Sequence, residues 1–397
     1  MTGGMSAADA AALFDGSRLI LARQLAAMRK SELAQAIGKS PTAVAGWESG
    51  TKRPTASTVA ELTLALGLEP AFFAVRQEEI AVPTSTPHFR SLRATTQVAR
   101  DQARAYGQLA VDIATSLERY VEFPALDVPV FPVDLDDADG DGPERAARFV
   151  REQWGMGGGP AGHVVRLLEN HGVLVVFSPV QTAAVDAYSF DSHLRPVVVL
   201  NPSKRDYYRQ RFDVAHELGH LVMHADAEPG GRIVEEQANR FASELLMPAE
   251  EVIDLLPASM SGNVWVLLGK LKEQWGVSMQ ALLFRARKLG KLNDISYRNA
   301  MTTVSMRGWR RNEPGQVQIL EQPSLLPKAI EILGEEGIEQ DILINECRVP
   351  SQLFRAATAR TPQADPDTTT ASGVQPDDRI RRRVVSLLPK LQTPPPP

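Results

Sequence analysis

The chain has 397 residues, 43% of them hydrophobic and 23% charged, with a formal net charge of −5 and a single cysteine, Cys347. That length exceeds one compact core and predicts two or three domains, with the composition of an ordinary soluble protein. The absence of an apolar run of about 18 residues excludes a membrane span, and one cysteine excludes an intramolecular disulfide or a cysteine-based zinc site. The N-terminal MTGGMSAADAAALFDG is broken by Asp9 and Asp15 and has no basic leader, so no secretory signal is expected and the protein is placed in the cytoplasm.

The net charge alone argues against a nucleic-acid partner, but its distribution does not. Between Gly16 and Arg53 stand Arg18, Arg23, Arg29, Lys30, Lys39, Lys52 and Arg53, opposed only by Glu32 and Glu48. Residues 16–76 read as a run of short helices: Leu19, Ala22, Leu25 and Ala26 recur at helical spacing, then Leu33, Ala34 and Ile37, then Val44 and Trp47, then Val59, Leu62 and Leu66. Ser31-Glu32 opens the second helix and Gly38 closes it. Ser40-Pro41 opens the third, with an N-cap residue followed by a proline at the first helical position.

Residues 79–125 read as a Pro/Thr-rich basic linker followed by one long amphipathic helix over 97–121. A Pro-punctuated stretch, FPALDVPVFPVDLDDADGDGP, marks a second boundary. From Pro143 the pattern becomes helix, helix, strand (VLVVFSPV), with a second strand in HLRPVVVLNP and a helix starting near Asp206. Residues 232–256 and 263–290 are expected to be helical, as is a leucine-rich C-terminal region within 300–360. Residues 361–397, ending in TPPPP, lack the apolar content to fold and are expected to be a disordered Pro-rich tail.

DVAHELGHLVMH, Asp213 to His224, holds the chemistry. Residues four apart share a helix face, so His216 and His220 can turn two imidazoles to one metal ion, and Glu217 faces the adjacent open position, where it can take a proton from water. A third protein ligand is required. IVEEQANRFASELLMP supplies Glu235, Glu236 and Glu244 as candidates. Glu235 is favoured because Asn239 stands one turn further on, where it can hold a ligand histidine ring in place from behind; Glu236 is the nearest rival. His224 continues the series but lies two turns, about 12 Å, from His216, too far to share one metal, and reads as a helix-end histidine. His88, His163, His171 and His193 have no ligand spacing, although His193 precedes a strand that could line the cleft.

In a helix-turn-helix the second helix lies in the major groove with its N-terminal residues at the base edges. Here that helix spans Ser40–Ser49. Ser40, Thr42 and Ala43 would face bases, Lys39, Lys52 and Arg53 phosphates, and part of the specificity would rest with Arg29 and Lys30. The base readers are small and include no bidentate Arg, Asn or Gln, which predicts modest discrimination. Val44 and Trp47 read as core, and Glu48 as a cap or a partner of a basic neighbour.

Residues 16–76, with LAQAIGKSPTAVAGWESGTKRPTASTVAELTLALGL, closely resemble the Xre/Cro-repressor helix-turn-helix family, departing from it where Ser31-Glu32 replaces the usual Thr-Gln. Residues 143–290, with RFDVAHELGHLVMH and EEQANRFASELLMP, look like the ImmA/IrrE metallopeptidase family. The resemblance implies an all-α head followed by an α+β, zincin-like domain with a small sheet beside the His-Glu-x-x-His helix. It also implies a gluzincin-like site with Zn2+ on His216, His220 and Glu235. The expected function is that of a DNA-binding transcriptional regulator with a zinc-dependent endopeptidase that cleaves a repressor-type protein in stress responses or mobile-element control. Its implied partners are double-stranded operator DNA, the protein substrate and a second copy in a homodimer. Two other readings are a regulator whose peptidase-like domain is a sensor or dimerisation module without proteolysis, and an antitoxin-like DNA- and protein-binding module. The latter draws on the head and the basic tail segment RIRRRVVSLLPK.

Overall fold

The computed structural model describes residues 5–74, 96–178, 187–192, 194–201, 206–224, 231–315, 317, 319–361 and 385–386. Five helices form the head: α1 (Ala7–Ala12), α2 (Gly16–Leu25), α3 (Lys30–Ala36), α4 (Pro41–Glu48) and α5 (Ala56–Leu66). Their ends are set by local chemistry. Ser40 accepts from Ala43 N at the start of α4, with Pro41 in the first turn, and Thr55 caps α5 by accepting from Thr58 N. Helix α3 starts at Lys30, one residue before the expected Ser31, because the Glu32 carboxylate reaches back to Arg29 N at 2.6 Å. Leu19, Leu33, Val44, Val59 and Leu62 are fully buried between these helices, and Trp47 joins them. Helix α1, outside the expected 16–76 boundary, packs on α5, and Phe14 bridges Ala74 beyond the 3-10 turn Pro70–Phe73.

Helix α6 (Gln97–Leu117) follows, then the short strand β1 (Val121–Glu122) and helices α7 (Gly142–Gln153) and α8 (Val164–Asn170). Strands β2 (Leu174–Phe177), β3 (Ala187–Phe190) and β4 (Val197–Leu200) precede α9 (Tyr207–Met223) and α10 (Arg232–Leu246). After these come α11 (Ala249–Val252), α12 (Val264–Trp275), α13 (Met279–Lys288) and α14 (Asp294–Met306), then α15 (Leu325–Glu335), α16 (Gln340–Cys347) and α17 (Ser351–Ala357). A last strand, β5 (Val385–Ser386), pairs with β1 in parallel. Residues 79–95 of the expected linker, His88, His193 and the tail beyond residue 361, apart from Val385 and Ser386 of its basic segment, lie outside the described residues; the expectation of a disordered tail did not include the strand β5.

The sheet has the order β2-β4-β3, with β2 parallel and β3 antiparallel to β4. It separates two cores, because side chains alternate between its faces. Leu174, Val176, Tyr188, Phe190, Val197 and Val199 face the core built on α6. Val175, Phe177, Ala187, Val198 and Leu200 face the core of α7 to α14, in which α9 and α10 lie. Burial on both faces explains the unbroken apolar runs of VLVVF and VVVL. The sequence reading missed β3, since AYSF offers only four residues of alternation.

Helix α6, expected merely to follow a linker, is the centre of the molecule. The head docks on it through Arg18, which donates to Asp112 Oδ2 at 2.6 Å and to Phe72 O at 3.1 Å, and Gln102 donates to Leu25 O at 2.9 Å. The sheet docks on it through two buried phenols. Tyr106 donates to Phe177 O at 2.9 Å and Tyr188 to Ala103 O at 2.6 Å, and burial holds both well above the ordinary tyrosine pKa, so both remain donors. Gly107 is required here, because a Cβ would stand 2.4 Å from the Phe190 ring.

The expected 300–360 region divides. In α14, Ala300 and Val304 join the core of α9 and α10, whereas α15 to α17, with buried Cys347, join that of α6.

Candidate functional site

Helix α9 carries the His-Glu-x-x-His pattern and is aligned by buried anchors at its N-terminal end. Asp206 caps it by accepting from Tyr208 N and Arg209 N. Arg211 pairs with the buried Glu321, donates to the carbonyls of Ala161, Gly162 and Gly276, and lies against the Tyr207 ring. Its C-terminal half meets α10 closely. Gly219 makes that approach possible, since a Cβ there would stand 2.9 Å from the Phe241 ring.

That approach brings His216, His220 and Glu235 together, with ligand atoms all within 4.8 Å of one another. His216 Nε2 and His220 Nε2 lie 3.1 Å apart, and the Glu235 carboxylate oxygens lie 3.5 Å from the first and 3.9 Å from the second. A tetrahedral zinc ion with bonds of about 2.0–2.2 Å requires ligand atoms about 3.3 Å apart, so this imidazole and carboxylate set fits zinc in both chemistry and spacing. Asn239 stands one turn beyond Glu235 with Oδ1 at 3.0 Å from His216 Nδ1. Glu236 points elsewhere: it is exposed and pairs with Lys288 at 3.3 Å. Glu244 is buried, pairs with Arg285 and Arg148, and accepts from Ala249 N, a structural role.

Glu217 is buried beside this cluster, and Ser189 on β3 donates to its Oε2 at 2.6 Å. Ser189 shares the α9-facing side of the strand with Ala187, two residues away. Sequence reading missed it because β3 itself was not recognised. His224 is a second residue whose part was not foreseen. It is buried at the end of α9, with Nδ1 at 3.0 Å from His220 Nδ1 and Nε2 at 3.0 Å from Gln237 Oε1. Its spacing in the series was the available signal, but spacing does not show that the ring contacts a ligand histidine from behind. The other described histidines serve elsewhere: His163 caps α8, and His171 stacks on Trp154 and meets Asp127.

In the head, Thr42 is exposed and Ala43 half-buried on the first turn of α4, while the Ser40 hydroxyl is engaged as its cap. Arg29, Lys30, Lys39, Lys52 and Arg53 are all exposed around this helix, and several have intramolecular partners. Lys30 pairs with Glu48 and Lys39 with Glu61, each at 3.0 Å. Arg53 donates to Ala12 O at 2.9 Å, and Lys52 lays its stem along Gly46. The Lys39–Glu61 pair, about one-third exposed on both sides, contributes little and leaves Lys39 able to exchange it for a phosphate contact. Glu48 is buried and bound by Arg23 at 2.5 Å.

Fold and site define a helix-turn-helix head joined through a central helix to a metallopeptidase-like domain. Comparison supplies the families: residues 19–73 match the family described as helix-turn-helix, and residues 168–287 match the peptidase family described as IrrE N-terminal-like domain. These two matches, over residues 19–73 and 168–287, agree with the expected fusion of an Xre-type helix-turn-helix and an IrrE/ImmA-like peptidase domain. No curated protein matches the chain. No helix among the described residues is long and apolar enough to cross a membrane.

Proposed function

We propose that this protein is a DNA-binding transcriptional regulator whose second domain is a zinc-dependent endopeptidase acting on a repressor or other regulatory protein. The observation that carries this reading is the convergence of His216, His220 and Glu235 beside the buried Glu217. In this reading His216, His220 and Glu235 hold zinc in a gluzincin-like arrangement, and Asn239 braces His216 from behind. Zinc supplies Lewis acidity that polarises a peptide carbonyl and acidifies water towards neutrality. Glu217 accepts the proton of the attacking water and passes it to the leaving amine, and Ser189 holds its carboxylate in place for both transfers. In the head, Ser40, Thr42 and Ala43 meet bases, Lys39, Lys52 and Arg53 meet phosphates, and Arg29 and Lys30 flank them, on a dimer reading two half-sites. The head then brings the peptidase to regulators bound at operators.

The test is Glu217→Gln in the full-length protein, incubated with candidate repressors from the same cell. Cleavage is expected to fall by at least 100-fold, while zinc content and operator affinity stay at wild-type values. Cleavage persisting in the variant would sink the mechanism. Operator binding without cleavage of any regulator by the wild type would favour a sensor.

A further inference from the structure

The two histidines of the centre are braced differently. Behind His216 stands the Asn239 amide. Behind His220 runs a chain of three links: His220 Nδ1 to His224 Nδ1 at 3.0 Å, His224 Nε2 to Gln237 Oε1 at 3.0 Å, and Gln237 Nε2 to the carbonyls of Asp134 at 2.7 Å and Asp137 at 3.1 Å. The polarity of this chain follows from its last link. A main-chain carbonyl only accepts, so Gln237 must turn its NH2 to the loop and its oxygen to His224. His224 therefore carries its proton on Nε2. A neutral imidazole has one N–H, so His224 Nδ1 accepts and His220 must donate from Nδ1. The lone pair of His220 is left on Nε2, the atom that faces His216 Nε2 and Glu235.

We propose that His224 and Gln237 are positioning residues that transmit the fixed polarity of the 134–137 backbone to His220 and so present its Nε2 as a metal ligand. The three side chains are 2%, 1% and 1% exposed for His220, His224 and Gln237, so water does not substitute for a missing link. The loop is itself secured to α10 by Arg240, which donates to Ala138 O at 3.0 Å, to Gly140 O at 2.6 Å and to Glu144. The anchor of the relay and the third ligand, Glu235, thus belong to one rigid assembly. This inference rests on the metal-binding reading given above.

The experiment uses full-length protein with 15N-labelled histidine, zinc-loaded at neutral pH, and reads ring protonation from two-bond 1H–15N correlations. His220 is expected to carry its proton on Nδ1 and His224 on Nε2; a proton on His224 Nδ1 overturns the relay. In parallel, zinc affinity is measured by chelator competition for wild type, Gln237→Leu and, as an exposed control, Glu236→Gln. Gln237→Leu is expected to bind zinc 10–100-fold more weakly and to lose the single His224 tautomer, with the control unchanged. Wild-type affinity in Gln237→Leu overturns the relay and leaves the metal centre standing, whereas a wild type that binds no zinc overturns both. The tautomer measurement on wild type decides the matter even if Gln237→Leu fails to fold.

Discussion

At the scale of single residues, the site depends on groups whose own chemistry is modest. Ser189 has no catalytic power, but its hydroxyl is 2.6 Å from the carboxylate that, in the proposed mechanism, accepts and returns a proton. A hydrogen bond to a charged group contributes about 1.5–3 kcal/mol, which corresponds to roughly 10–100-fold in rate if the bond is used in the transition state. Ser189→Ala is therefore expected to lower kcat by about 10-fold or more, with zinc content unchanged because Ser189 touches no ligand. Single-turnover cleavage beside metal analysis checks this, and an unchanged kcat would remove Ser189 from the machinery. The histidine pair and Glu217 were legible from spacing on one helix. Ser189, His224 and Gln237 were not, because each meets its partner through space and none belongs to a pattern that recurs along the chain.

At the scale of elements, the C-terminal helices are held to the peptidase fold by a buried carboxylate. Glu169, at the end of α8, accepts from Ser324 N and Leu325 N, each at 2.9 Å, and from the Ser324 hydroxyl at 2.5 Å, where α15 begins. Burial pushes its pKa up to about 7 from an ordinary 4.5, against the downward pull of those donors. Because the folded pKa is the higher one, its contribution to stability is fully present below pH 4.5 and is lost as pH rises to about 7. The shift corresponds to about 3 kcal/mol. Urea unfolding of wild type and Glu169→Gln across this range should show the stability difference changing by that order between pH 4.5 and 7, and level above it. A difference that stays constant with pH would refute the assignment.

At the scale of the whole molecule, the head is not tethered loosely beside an enzyme. It is packed on α6, whose other side supports the sheet that carries Ser189. The contact includes the Arg18–Asp112 pair, 5% and 8% exposed. Removing one partner of a buried pair leaves the other charge unpaired, at a cost of about 3–5 kcal/mol. Asp112→Ala is accordingly expected to destabilise the protein by that amount. It should also split one unfolding transition into two, followed by Trp47 fluorescence for the head and by zinc release for the peptidase domain. Coincident transitions at wild-type stability would show that this contact does not join the two.

The sequence by itself determined what local periodicity and spacing can carry. It placed helices α2 to α5 of the head and the Ser40 cap of α4, two of the three strands of the small sheet, and the pattern His216, Glu217, His220, with Glu235 favoured among three glutamates. Those features depend on neighbours within a turn or two, so they are written in the order of residues. Tertiary structure alone decided that Glu235 rather than Glu236 reaches the histidines, since the two differ only by a rotation about α10 that packing sets. It alone assigned α14 to one core and α15 to α17 to the other, and made α6 the centre. It alone put Ser189 behind Glu217 and a backbone-anchored chain behind His220. The physical reason is common to all of these: hydrogen bonds and close packing act over a few ångströms in space, whatever the distance along the chain.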